Sequence, residues 1–289
     1  MTHNIICSDN ISALNKIKEN TFDSCITDPP YGMGMDDWDH TVPPVEIWEA
    51  VYRTLKPGAF VLSFCSPELY RRMAINVEDA GFRPLDMITW IVTTKMAKTN
   101  RLKPAHEPIF VAQKPLQGSI KANVEAWGCG EIDIEDARIP WDKEPPTYPT
   151  GGHQRRAFGK DVSKEKQGKK KANIKGRYPS DVIGHFDDPD HQKYFYAPRA
   201  TRKERGEYND HPTPKPISLM RYLVRVYSPK GGHVLDPFNG SGSTGIAAIQ
   251  EGSEFTGIDM SHHYCDIAEK RIADHCAETP FEKLFDYEI

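Results

Sequence analysis

The chain has no hydrophobic run approaching the roughly 20 residues of a membrane helix, so no spanning segment is expected. It has no Cys-x-x-Cys pair either. Its six cysteines, Cys7, Cys25, Cys65, Cys129, Cys265 and Cys276, are scattered. That pattern excludes a disulfide framework and a zinc ribbon, and it favours reduced thiols in a cytoplasmic setting. No signal peptide is visible, because Met1-Thr2-His3-Asn4 leads directly into an apolar strand pattern. His262-His263 and His275-Cys276 lack a second spaced pair, so no metal is expected. There is no internal repeat. Positive charge is not in excess over the whole chain: the net charge is −4, which alone argues weakly against a polyanionic partner.

The distribution of charge reverses that last reading. Residues 151–205 hold fifteen Lys/Arg against seven Asp/Glu, whereas residues 251–289 hold three against ten. One basic segment on an otherwise acidic chain is the footprint of a surface that faces a nucleic acid. A length of 289 residues with 38% hydrophobic side chains can bury a large α/β core and still carry an inserted segment.

Periodicity predicts a strand over 4–9, a helix over 10–19 and a strand over 22–27. A helix over 43–55 is expected to stop at Lys56-Pro57-Gly58, followed by a buried strand over 59–65 and a helix over 67–80 closed by Gly81. Two further strands are expected at 87–92 and 108–112. From about residue 114 to 208 the pattern breaks, with frequent Gly, Pro and Lys and a basic low-complexity run over 163–171. It resumes as a helix over 216–227, a strand at 233–236, a helix over 243–251, a strand at 254–259 and a helix over 261–276. Strands alternating with helices in this way predict an α/β fold with a mainly parallel sheet covered on both faces. Cys25 and Cys65 fall in apolar strands and read as core.

Two motifs carry chemistry. In Val234-Leu235-Asp236-Pro237-Phe238-Asn239-Gly240-Ser241-Gly242-Ser243-Thr244-Gly245, a strand runs into a glycine loop that opens a helix. Glycines there let the backbone approach a ligand. Asp259 follows Gly240 by 19 residues at the end of the next strand, where a carboxylate can accept both hydroxyls of a ribose. In Thr27-Asp28-Pro29-Pro30-Tyr31-Gly32, a strand ends in a carboxylate followed by two prolines and an aromatic residue. An aromatic amino group is a poor nucleophile, because its lone pair is delocalised into the ring. The Asp28 carboxylate and the Pro29 carbonyl could accept its two hydrogens and push it towards tetrahedral geometry. Pro29 and Pro30 stiffen the turn, and Tyr31 offers a flat face for a base extruded from a duplex.

These motifs resemble the DNA amino-methyltransferases of the N6-adenine/N4-cytosine family, in the permuted β group found in bacteria and phages, where the catalytic motif precedes the cofactor motif. The resemblance extends over most of the chain. It takes in Ile6-Cys7-Ser8-Asp9, Trp38-Asp39, Tyr196-Ala197-Pro198-Arg199, Lys203-Glu204-Arg205 and His211-Pro212-Thr213-Pro214-Lys215-Pro216. It implies a Rossmann-like doubly wound methyltransferase sheet with an inserted irregular target-recognition region. The implied organisation is a catalytic half over 1–113, a DNA-contacting insert over 114–208 and an S-adenosylmethionine-binding half over 209–289. It implies S-adenosyl-L-methionine as cofactor, with Asp9 towards its adenine, Thr213 and Lys215 towards its methionine end, and Asp236, Phe238, Gly240, Ser241, Gly242 and Asp259 around it. Gly176-Arg177-Tyr178-Pro179-Ser180-Asp181 fits the recognition region. Ser243 stands where many members have Thr, a conservative departure.

The implied partner is double-stranded DNA, gripped by Lys164, Lys166, Lys169, Lys170, Lys171 and Arg177, with a homodimer and a cognate restriction endonuclease as further partners to look for. Adenine N6 is preferred to cytosine N4, because N4 enzymes more often carry Ser where this chain has Asp28. A C5-cytosine enzyme would need a Pro-Cys nucleophile loop, which is absent. An RNA or protein-glutamine methyltransferase would tend to have Asn at position 28 and the glycine loop before it. A catalytically silent DNA-binding protein of the same fold should have lost Asp28, Tyr31 or the glycine loop.

Overall fold

A computed structural model describes residues 2–31, 41–92, 95, 97, 99–150, 168–186, 189–196, 208–211 and 213–278. The first half reads β1 (His3–Cys7), α1 (Asn10–Lys16), β2 (Phe22–Thr27), α2 (Val45–Thr54), β3 (Leu55–Phe64), α3 (Tyr70–Asp79), β4 (Arg83–Ile91) and β5 (His106–Gln113). The middle contributes α4 (Ile120–Trp127), β6 (Thr147–Thr150), β7 (Gly168–Lys171), β8 (Val182–Ile183) and α5 (Pro189–Gln192). The last part is α6 (Ile217–Tyr227), β9 (His233–Asp236), α7 (Ser243–Gln250), β10 (Glu254–Asp259) and α8 (His262–Glu278).

Eight strands form one sheet in the order β1-β10-β9-β2-β3-β5-β4-β8. All neighbours are parallel except the two pairings of β5, which runs against both β3 and β4. Both faces are apolar, as a covered parallel sheet requires. On β3, Phe60, Leu62 and Phe64 face one core with Leu219, Leu223, Ala247 and Ile272, which come from α6, α7 and α8. Leu55, Ala59 and Val61 face the other, with Leu14, Trp48, Val51, Met73 and Val77 from α1, α2 and α3. The expected doubly wound α/β sheet is therefore what forms. From β2 the chain winds one way to β3; from β9 it winds the other way to β10. The switch point lies between β2 and β9, where open α/β sheets place their ligands, at the carboxyl ends of the strands.

Several elements differ from expectation. β3 begins at Leu55, so Lys56-Pro57-Gly58 is an interruption within a strand; its pairing with β2 jumps from Phe22↔Leu55 to Ser24↔Phe60. Gly58 has φ +81°, and a Cβ there would sit 2.3 Å from Asn123 Nδ2, so glycine is required both sterically and conformationally. The stretch from 114 is not irregular throughout. Ser119 caps α4 by accepting from the Ala122 amide, and Gly128 at φ +77° ends it. Buried Asn123 on α4 donates to the Pro57 and Cys129 carbonyls, which fastens α4 to β3. At residues 168–171 β7 pairs antiparallel with β6 as a two-stranded ribbon. β4 also starts earlier than expected, at Arg83, because its exposed first residues pair with β5 despite their polarity.

Among the described residues no helix is long and apolar enough to cross a membrane. Lys164, Lys166, Trp38, Asp39 and residues 197–207 lie outside the described residues.

Candidate active site

Thr27 ends β2, a strand buried along its whole length, and Asp28 follows it. Asp236 ends the neighbouring β9 and is the tie between them. Thr27 Oγ1 donates to Asp236 Oδ1 at 2.6 Å, Thr244 Oγ1 to Oδ2 at 2.6 Å, and the Phe238 amide to Oδ1 at 3.0 Å. Burial pushes the Asp236 carboxyl up to about 6 against the pull of those donors. Although the sequence suggests Asp236 for the cofactor, its oxygens are engaged with the protein. These bonds tie the end of β2 to the glycine loop, and Asp236 also lines the cleft described below.

That loop is shaped by Gly240 at φ +48° and Gly242 at φ +81°. A Cβ at Gly240 would lie 2.9 Å from His211 Nε2, and one at Gly242 would lie 2.9 Å from the Ala268 Cβ. α7 starts at Ser243 with no side-chain cap. Asp259, at the end of β10, accepts from the Gly240 amide at 2.8 Å and the Ser261 amide at 2.9 Å. Burial raises its pKa, and those amides oppose the rise. Ser241 is held from behind: Arg271 on α8, 1% exposed, donates through Nη1 to the Ser241 carbonyl at 2.5 Å and to its Oγ at 2.9 Å. Arg271 was not foreseen, since nothing in the pattern of α8 marks an arginine that faces inward.

A cleft joins the two motifs. Asp28, Thr213, Lys215, Phe238, Gly240 and Ser241 all line it. Asp28 is bonded on both oxygens: the Tyr31 hydroxyl donates to Oδ1 and the Lys215 ammonium to Oδ2. Pro29 is buried, and Pro30 and Tyr31 are half-buried. Burial raises the pKa of Asp28; Lys215 pulls it down and Glu107 pushes it up. Burial, with the Asp28 charge beside it, drives the Tyr31 phenol well above its ordinary value. Lys215 Nζ lies 5.0 Å from the Phe64 ring centre and 3.7 Å from Glu107 Oε2. Burial disfavours its charge, but Asp28 and Glu107 more than compensate and hold its pKa above that of a free lysine. Lys215, suggested for the cofactor's methionine end, is paired here with Asp28.

Glu107 was also missed. It precedes the expected strand, and only the reversal of β5 brings its first residues to the edge where β2 ends. Lys95 pairs with its Oε1 at 2.7 Å. Burial pushes the Glu107 carboxyl up, but Lys215 and Lys95 together hold it below the ordinary glutamate value.

Other suggested residues are placed elsewhere. Asp9 caps α1, accepting from the Ser12 amide at 2.9 Å, and is exposed. Its neighbour Asn10 reaches the glycine loop by donating to the Pro237 carbonyl at 2.6 Å. Lys169, Lys170 and Lys171 lie on β7, away from the cleft. The Arg177 guanidinium donates to the Pro140 carbonyl at 3.0 Å and to Asp142 at 3.2 Å and lies 4.5 Å from the Trp141 ring centre. Cys25 and Cys65 are buried, and burial pushes the Cys65 thiol up to about 12.

The cleft suits S-adenosylmethionine. Gly240 and Gly242 hold left-handed backbone that shapes the loop, Phe238 offers an apolar face, and Asp259 keeps acceptor capacity beyond its two amides.

Comparison with known proteins agrees. A family model described as DNA methylase, for the N6/N4 methyltransferases, matches residues 22–270. The type II methyltransferase M.HpaI of Haemophilus parainfluenzae is 26% identical over 282 residues, covering 94% of this chain and 74% of that protein. M2.DpnII of Streptococcus pneumoniae is 24% identical over 290 residues, covering 93% and 88%. Among solved structures, the cytosine-N4-specific PvuII DNA methyltransferase has a TM-score of 0.62 at 14% identity, covering 96% of this chain and 92% of that one. The M1.HpyAVI complex with S-adenosylmethionine has a TM-score of 0.54 at 19% identity, covering 93% and 100%. The chain belongs to the N6-adenine/N4-cytosine DNA methylase family, whose members are S-adenosylmethionine-dependent DNA methyltransferases.

Proposed function

We propose that this enzyme methylates N6 of adenine at a specific site in duplex DNA, acting on a base flipped out of the stack. The observation that carries the reading is the shared cleft: Asp28 opens onto the same space as the glycine loop of residues 240–242. S-adenosylmethionine, when bound there, supplies an electrophilic sulfonium methyl. Asp259 and the loop amides would hold and orient it. Asp28 and the Pro29 carbonyl would accept the two hydrogens of the target amino group, which localises its lone pair for in-line attack. The Tyr31 ring would stack on the extruded base. The methylated nitrogen is cationic and acidic, so it loses its proton readily and no strong base is needed. Asp28, rather than Ser, at the first catalytic position favours adenine over cytosine.

Within the insert over 114–208, α4 would serve as a buttress and the ribbon of β6 and β7, with its lysines, as a clamp on the phosphate backbone. A cytoplasmic location, a homodimer and a cognate endonuclease complete the reading.

The test is single-molecule sequencing of DNA from cells that express the wild type or Asp28→Ala. Adenine-N6 marks at one sequence, lost in the variant, are expected. Cytosine-N4 marks would overturn the choice of base, marks that persist in the variant would overturn the role of Asp28, and unmarked DNA from wild-type cells would leave the silent DNA-binding protein as the better reading.

A further inference from the structure

The mechanism above leaves Glu107 without a task. Its carboxylate is nearly closed to solvent, with the side chain 13% exposed. One oxygen holds Lys95, while the other, Oε2, is buried with no hydrogen-bond partner among the described residues. A buried acceptor left unsatisfied is unfavourable, so it calls for an explanation. The Lys215 ammonium lies 3.7 Å from it and in this state is bonded to Asp28.

Lys215 therefore stands between two carboxylates, bonded to one and just out of reach of the other. This arrangement has a cost for catalysis. While the ammonium occupies Asp28 Oδ2, that oxygen cannot receive a hydrogen from a base. A cation beside the amino nitrogen also opposes a reaction that makes this nitrogen positive. Lys215 cannot simply withdraw, because its surroundings include the Tyr31 and Phe64 rings and its side chain is only 8% exposed. An ammonium needs a partner there.

We propose that Glu107 is a positioning residue that takes over the Lys215 ammonium when the amino group of the target base takes its place on Asp28. The inference rests on the reading of Asp28 as the acceptor for that amino group. The shift is small: closing from 3.7 Å to the roughly 2.8 Å of a charge-assisted hydrogen bond takes about 1 Å, within reach of one torsion at the end of the lysine. Each ion keeps a counter-ion throughout. Lys95 anchors the far oxygen of Glu107, so the receiving oxygen stays aimed at Lys215. The charged and titratable groups around the pair are Asp28 and Tyr31 after β2, Cys65 after β3, Lys95 after β4, Glu107 on β5, Lys215 before α6 and Asp236 on β9.

The test uses the full chain, plasmid DNA carrying the site mapped above and saturating S-adenosylmethionine. Glu107→Gln should lower kcat roughly ten- to a hundredfold, the equivalent of losing one hydrogen bond between charged groups, and leave S-adenosylmethionine affinity by calorimetry unchanged. Lys215→Met combined with Glu107→Gln should be faster than Glu107→Gln alone, because the cation left stranded on Asp28 is gone. The acid limb of kcat/KM should move to lower pH in Glu107→Gln, which loses a negative neighbour of Asp28. It should move to higher pH in Lys215→Met, which loses a positive one. Glu107→Asp, should the glutamine variant not fold, keeps the charge but shortens the reach, and should lower kcat without moving the limb. Wild-type kcat and pH profile in whichever Glu107 variant folds, or a double variant no faster than Glu107→Gln, would show that Glu107 merely fastens β5 to Lys95 and would overturn the proposal. Turnover surviving in Asp28→Ala would instead remove the reading beneath it, and that control is run separately.

Discussion

Two carboxylates end adjacent strands at the centre of the sheet, and they are built in opposite ways. Asp236 is 2% exposed and is surrounded by protein donors, two hydroxyls and an amide. Asp28, at the end of the next strand, is bonded by groups that can leave: a phenol on its own loop and a lysine from a loop 187 residues away. The first is held on both oxygens by two hydroxyls and an amide fixed in the sheet and the glycine loop. The second has partners that a substrate amino group can replace. A burial-raised pKa is common to both, so the shift alone does not identify the catalytic residue. What separates the two is the exchangeability of their hydrogen bonds.

The sharpest way to break the comparison is to remove each acid in turn. Asp28→Ala should reduce methyl transfer by on the order of 10²–10³-fold or more, while calorimetry finds S-adenosylmethionine binding nearly intact; wild-type turnover would reverse the contrast. Asp236→Ala should act on the fold instead. It orphans two hydroxyls and an amide, at a cost of about 3 kcal/mol or more in denaturant unfolding. Asp236→Asn sharpens the point through pH. The native carboxyl titrates near 6 against an ordinary value of 3.8, so the folded state holds the proton more tightly and stability falls as pH rises through that window. At 1.36 kcal/mol per unit, wild type should lose up to about 3 kcal/mol there relative to Asp236→Asn; parallel curves for the two proteins would show that Asp236 is ionised at no cost.

Smaller effects belong to the periphery. Asp259→Ala should weaken S-adenosylmethionine binding by roughly 1.5–3 kcal/mol, and unchanged affinity would move the ribose partner elsewhere. Neutralising Lys164, Lys166, Lys169, Lys170 and Lys171 together should weaken binding to all DNA sequences alike. The salt slope should fall by about 0.9 per lost phosphate contact. A collapse of site preference at constant slope would make these lysines readers of bases.

The sheet was legible in the sequence because short strand patterns, such as the apolar run at residues 59–65, alternate with helical ones between turn residues. The boundary of β3 was not. Pro57 and Gly58 are stop signals locally, and only their packing against Asn123 turns them into an interruption within a strand. α4 escaped because eight residues between Gly118 and Gly128 carry too little periodicity. At the site, Asp28 and the glycine loop were visible because their chemistry is local to each motif. Glu107, Arg271 and the pairing of Lys215 were invisible because they depend on strand direction and on contacts across 30 to 187 residues of chain.

The pairing of β2 with β9 also bears on how the protein is made. Ser24 and Cys25 pair with Val234 and Leu235, so β2 is synthesised some 200 residues ahead of its neighbour. At roughly 5–20 residues per second, β2 waits about 10–40 s on the ribosome with β3 on one side and nothing on the other. During that interval an apolar strand edge is open to wrong partners, and Asp28 has neither Lys215 nor a glycine loop opposite it. Nascent chains thus acquire the methylation site only when nearly the whole polypeptide has emerged, and a truncated product ending before β9 would be sticky and inert rather than an unregulated modifier of the genome.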